Sequence, residues 1–154
     1  MPAKKNEKAA PLADFRRNCP EKLVRDGAAE WRYRVIGTGP LTLLAIPGGE
    51  LVNDLGFEFA LPISDCCWVI YPAYPRVASM EVLASGLRAV LDAEKIDRAA
   101  ILGASFGGAL AQDFVRRHLE RIKPFDALKL RRSAAVPCVQ FANFIWDLPD
   151  AALL

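Results

Sequence analysis

Histidine is the scarcest chemistry-bearing residue here: the 154-residue chain holds one, His118. Its scarcity excludes a Cys/His metal cage. The four cysteines, Cys19, Cys66, Cys67 and Cys138, form no CxxC pair and no Cys/His ligand spacing. No metal and no cofactor is therefore expected, and the cysteines read as reduced, buried thiols of a cytoplasmic protein. Long apolar runs are missing too. None approaches the ~18 residues that read as a membrane-spanning helix, so no membrane span is expected. The opening "MPAKKNEKAA" has no apolar core, so no secretory leader is read there. Charge of one sign is also lacking, with a net charge of +2. Much of the positive excess sits in "MPAKKNEKAAP" and "LKLRRS". That leaves no broad basic face, and no nucleic-acid partner is expected. Lys4, Lys5 and Lys8 read as part of a solvated, disordered tail. No internal repeat is visible.

What remains is the composition of one globular domain, 53% hydrophobic and 25% charged. A chain of this size buries roughly 68–70% of its unfolded surface. Residues 1–13 read as the tail. "DFRRNCPEKLVRDGAAE" is mixed, a lead-in with a short helix or an irregular strand. "WRYRVIG" alternates Trp31, Tyr33 and Val35 with Arg32 and Arg34, the pattern of a half-exposed strand. "LTLLAI" is apolar throughout, as a strand covered on both faces must be. It runs into Pro47, Gly48 and Gly49. "LVNDLGFEFALPIS" carries a helix around its middle. "CCWVIYP" is a second buried strand, expected to stop at Pro72 and Pro75. In "SMEVLASGLRAVLDAEKI", Met80, Val82, Leu83, Leu87, Val90 and Leu91 recur at helical spacing, with Ser79 as the cap. "AAILG" is a third buried strand and "GGALAQDFVRRHLERI" a helix. Two strand–helix–strand units in succession predict an α/β fold: a three-layer sandwich around a mostly parallel sheet. Beyond Arg121 the rhythm breaks, although Val136–Phe141 could form a short edge strand.

The segment joining the third strand to its helix is Gly103-Ala104-Ser105-Phe106-Gly107-Gly108. It fits G-x-S-x-G, a turn that strains the serine backbone and stands its hydroxyl at the top of a sheet. Crowding there requires small residues two before and two after the serine, and Gly103 and Gly107 supply them. The helix that follows aims its free N–H groups at a developing oxyanion. Two other readings exist. One is a bland turn of small residues. The other is a dinucleotide loop, G-x-G-x-x-G, but Ser105 stands where its middle glycine must let a pyrophosphate approach.

The succession "LLAIPGG", "VIYPAYP" and "LGASFGGALAQDF" resembles the α/β-hydrolases. Within them it resembles the maspardin-like branch: Tyr-Pro closing a strand, a Gly-Ala-Ser-x-Gly-Gly-x-x-Ala-Gln turn, and Asn143, Trp146 and Pro149 in the lid region. The similarity covers about residues 30–121, and 122–154 loosely. It implies that Ser105 is the nucleophile. It further implies that the Phe106 N–H and one from Gly48 or Gly49 form the oxyanion hole. An ordinary strand-to-helix turn is the alternative for Pro47-Gly48-Gly49. Gly103, Gly107 and Gly108 are the glycines of the serine turn.

In such hydrolases the order is serine, acid, histidine. His118 lies thirteen residues after Ser105, which along a helix is roughly 15–20 Å away. It reads as a helix-end residue, not a base. Asp113 is on the same helix and wrongly directed. Asp126, Asp147 and Asp150 follow without a histidine to orient. The expected organisation is thus a tail at 1–13, the N-terminal part of a hydrolase domain at 14–121, and a lid-like or edge segment at 122–154. The domain reads as an incomplete hydrolase fold, truncated after its nucleophile half. The function implied is ester or amide hydrolysis through an acyl-serine, with the triad acid and histidine missing. The rival is a non-catalytic binding or adaptor protein. The expected partners are a small ester or amide and a second protein or second copy, because the "AAILG" strand would be left at an open edge.

Overall fold

The computed structural model describes residues 9–49 and 56–123. Five strands, β1 (Lys22–Asp26), β2 (Ala29–Ile36), β3 (Leu41–Ile46), β4 (Cys67–Ala73) and β5 (Ala100–Gly103), form one sheet in the order β1-β2-β4-β3-β5. β4, β3 and β5 are parallel; β2 joins β4 and β1 joins β2 antiparallel. The four longer helices are α1 (Ala9–Asn18), α2 (Gly56–Ala60), α3 (Met80–Ala93) and α4 (Phe106–Arg117). The three-layer α/β arrangement expected from the sequence is present, with an antiparallel pair added to its parallel strands.

Burial explains the layers. β3 is buried at every position but Thr42, which lets helices cover both of its faces. One face packs Leu44, Ile46 and Ile70 against Leu83, Leu87 and Val90 of α3 and Leu110 and Phe114 of α4. The other packs Leu43, Ala45 and Val69 against Phe15 of α1 and Ala60 of α2. α3 begins where expected: the Ser79 hydroxyl accepts the Val82 N–H at 3.4 Å.

Several expectations need correction. α1 starts at Ala9, inside the stretch assigned to the tail. Arg34, expected on a solvent face, is buried. Its guanidinium donates to the Cys19 carbonyl at 2.5 Å and lies 5.5 Å from the centre of the Phe15 ring. β4 continues through Pro72 to Ala73. β3 pairs with β4 only from Cys67 to Ile70, so Pro72 has a strand neighbour on one side alone, β2. α4 stops at Arg117, because His118 leaves helical geometry with φ −137° and ψ 47°. Cys19, Cys66 and Cys67 are free thiols, but only Cys67 is fully buried.

The outer edge of β5 also differs from expectation. Val136–Phe141, the short edge strand expected from the sequence, lies outside the described residues. The chain returns to that edge much sooner. Ala99 donates to the Arg121 carbonyl at 3.0 Å, and the Lys123 N–H donates to the Ala99 carbonyl at 2.9 Å, a parallel bridge between Ala99 and Ile122. Among the described residues, β5 beyond Ala99 has no further strand on that side.

Candidate functional site

The site gathers at the carboxyl ends of the parallel strands. β5 ends at Gly103 and α4 begins at Phe106, so Ser105 stands between strand and helix. Its backbone has φ 51° and ψ −120°, outside the range an L-residue prefers. The residue is exposed.

The glycines around it leave no room for side chains. An ideal β-carbon on Gly103 would lie 2.3 Å from the Gly107 carbonyl oxygen. One on Gly107 would lie 2.2 Å from the Pro47 oxygen and 2.4 Å from the Ile46 oxygen. Strand β3, strand β5 and the start of α4 therefore meet backbone to backbone. A hydrogen bond from the Ala104 N–H to the Ile46 carbonyl, 3.1 Å, ties the turn to β3. Gly107 and Gly108 donate to the Ala104 and Ser105 carbonyls at 2.8 Å each. Among the described residues the Phe106 N–H, first in the helix, has no acceptor, as expected of an orphan N-terminal donor.

Of the two described loop glycines, Gly48 is the one beside the serine. A β-carbon there would sit 3.7 Å from both Ser105 Cβ and the Ala104 oxygen, whereas one on Gly49 would meet nothing within 4 Å among the described residues. The structure thus brings Ser105, Phe106, Gly103, Gly107 and Gly48 together, with Gly49 at the margin.

His118 does not join them. It caps the far end of α4, where its ring packs against Phe114 at 5.0 Å and its Nδ1 lies 3.8 Å from Glu120. Burial, and then the Arg88 charge, hold its pKa below the usual imidazole value. Asp113 is engaged with Arg117 at 2.7 Å. Asp126, Asp147 and Asp150, like Asn143, Trp146 and Pro149, lie outside the described residues. The described residues contain no group of three metal-ligating side chains and no helix long and apolar enough to cross a membrane.

Sequence reasoning missed Tyr74. It follows β4 directly, is buried, and donates its hydroxyl to the Pro47 carbonyl. Its ring meets Phe106 edge-on at 5.4 Å and Trp31 at 6.3 Å. Burial, and then the neighbouring Tyr71, push its pKa well above the phenol value, so the hydroxyl stays a donor. The signal was the second aromatic in "YPAYP", beside the strand end where ligands gather in α/β sheets.

No protein-family model and no curated protein sequence matches the chain. Solved structures do. An epoxide hydrolase from Vigna radiata matches with a TM-score of 0.62 at 12% identity, over 70% of this chain and 39% of that one. Naproxen esterase from Bacillus subtilis matches at 0.61 and 15% identity, over 79% and 49%. A serine hydrolase from the polyaromatic-hydrocarbon-degrading bacterium Cycloclasticus zankles matches at 0.60 and 19%, over 69% and 44%. The chain spans less than half the length of each of these three. At such identities the likeness is one of fold: the α/β fold of this chain matches part of the fold of these hydrolases.

Proposed function

We propose that this chain carries the nucleophile half of a serine-hydrolase site, acting on a small ester or amide. Ser105 Oγ attacks the substrate carbonyl carbon. The oxygen gains negative charge and is held by the Phe106 N–H and an N–H of the Gly48-Gly49 loop. Collapse expels the alcohol or amine and leaves an acyl-serine, which water then hydrolyses. The observation that carries this reading is the positive φ of Ser105, an exposed non-glycine residue held between Gly103 and Gly107. Strain of this kind persists only where the surroundings impose it, and it clusters at functional sites.

The serine proton must leave to a base, and His118 is not that base. Without one, an oxyanion hole and binding still give about 10³–10⁴ over water. The finer kinship to the maspardin-like branch rests on Gly103–Gln112 and on Tyr71-Pro72. Self-association at the outer edge of β5 belongs to the same reading. A fluorophosphonate probe, located by mass on Ser105, tests the nucleophile. A binding or adaptor role is the outcome if Ser105 proves inert.

A further inference from the structure

We infer that Cys66 and Cys67 are a redox modification site: a small disulfide of the glutathione type oxidises the two thiols to one reversible intrachain disulfide, and its closure loosens the turn between β2 and β3. The pair lies where β4 begins, at the end of the parallel strands opposite Ser105, so neither thiol takes part in the chemistry proposed there. Neighbouring side chains within a strand point to opposite faces, which would hold two sulfurs apart. Here β4 begins only at Cys67. Cys66 still belongs to the turn before it, its N–H donating to the Ile63 carbonyl at 3.1 Å. The two side chains converge, and their sulfurs stand 3.9 Å apart. Cys66 is half-buried, whereas Cys67 has 0% exposure.

The Cys66 sulfur, the one with solvent contact, gives up its proton and attacks the small disulfide. A mixed disulfide forms and one small thiol leaves. Cys67 then gives up its proton, its sulfur attacks Cys66 Sγ, and the second small thiol leaves. Two electrons pass from the cysteines to the small disulfide, and the two protons end on its two thiol products. Burial, and then the neighbouring Cys66, push the Cys67 pKa up, which makes Cys67 the second to react. Adjacent Cα atoms are about 3.8 Å apart across a trans peptide, short of the roughly 4.4–6.8 Å of ordinary disulfides. The ring therefore closes under strain, and strained disulfides are the labile, reversible ones.

That strain falls on the Cys66–Cys67 peptide, which is hemmed in by backbone. An ideal β-carbon on Gly39 would lie 2.0 Å from the Cys66 carbonyl carbon and 2.2 Å from the Cys67 nitrogen. The Leu41 N–H donates to the Cys66 carbonyl and the Gly39 N–H to the Cys67 carbonyl, both at 3.3 Å. Turning the peptide to bring the sulfurs together draws these carbonyls from their donors.

The experiment incubates the full chain with glutathione disulfide, blocks the remaining thiols with N-ethylmaleimide and digests with trypsin. Residues 35–76 make one tryptic peptide, whose only cysteines are Cys66 and Cys67. It should come back lighter by two hydrogens, with neither glutathione nor maleimide attached, and dithiothreitol should reverse the change. Cys67→Ser should instead keep one glutathione, on Cys66. Amide exchange at Gly39 and Leu41, followed by NMR, should rise about tenfold or more on oxidation and fall back on reduction. A wild-type peptide that keeps a glutathione, takes up two maleimides or joins a second chain overturns the inference. So does an oxidised protein in which Gly39 and Leu41 exchange as before. Should Cys67→Ser fail to fold, the wild-type peptide and the exchange rates decide.

Discussion

The backbone of Gly107 lies so close to the Pro47 carbonyl that a β-carbon would come within 2.2 Å of its oxygen. Neither partner can swing aside, because both atoms are backbone. Gly107→Ala should therefore destabilise the protein by about 1–3 kcal/mol, the range for overpacking a close contact. Gly103→Ala should do the same, since its β-carbon would meet the Gly107 carbonyl. Urea unfolding measures both. Substitutions that cost nothing would show that strand β3 and helix α4 are not in backbone contact.

Ser105 offers the converse test. Its φ of 51° suits glycine better than any L-residue. Ser105→Gly should be more stable than Ser105→Ala by about 1 kcal/mol, relief of strain outweighing the extra chain entropy. Ser105→Ala itself should change stability by at most about 1 kcal/mol, because an exposed turn hydroxyl contributes little. Both variants should lose all probe uptake. An alanine variant more stable than the glycine variant would argue against a strained serine.

His118 predicts a pH dependence with a definite sign. Burial and the Arg88 charge lower its folded pKa below the unfolded value of roughly 6.5. The folded protein therefore binds fewer protons than the unfolded chain as the pH drops. The stability linked to His118 is complete above about pH 6.5 and is lost as the pH falls through the folded pKa. His118→Gln should lose less stability than wild type between pH 7 and pH 5. Parallel denaturation curves for the two proteins across that range would contradict the direction.

The outer edge of β5 is tested by association. Arg121 to Lys123 bond to Ala99, but among the described residues no strand follows along Ile101 to Gly103. An open edge of apolar residues invites pairing with another chain. Sedimentation at micromolar concentration should show self-association. A stable monomer would show that the edge is closed within one chain.

The parallel core was legible because its physics is local. "LTLLAI" and "AAILG" are apolar on both faces, and the apolar residues of α3 recur at helical spacing. The strand–turn–helix around Ser105 was legible because Gly103 and Gly107 sit at fixed offsets from it. Features decided by distant contacts were not. The burial of Arg34 depends on Phe15 and Cys19, which come from α1 and the segment just after it. The passage of β4 through Pro72 depends on where β3 stops pairing. The position of Tyr74 against Pro47 joins two strand ends 27 residues apart, and no periodicity marks such a pair.

The most direct measurement of the nucleophile claim is fluorophosphonate labelling of the full chain, with the adduct located by peptide mass. The account predicts one preferred adduct, on Ser105, absent in Ser105→Ala. It predicts labelling within about twofold of wild type in His118→Ala, because α4 carries that imidazole roughly 18 Å from the hydroxyl at ~1.5 Å per residue. Turnover of small activated esters should be negligible, since no histidine of this chain reaches the serine. Ser105 labelling no better than the other serines would contradict the claim that it is a nucleophile. Loss of labelling in His118→Ala would contradict the claim that the base lies elsewhere.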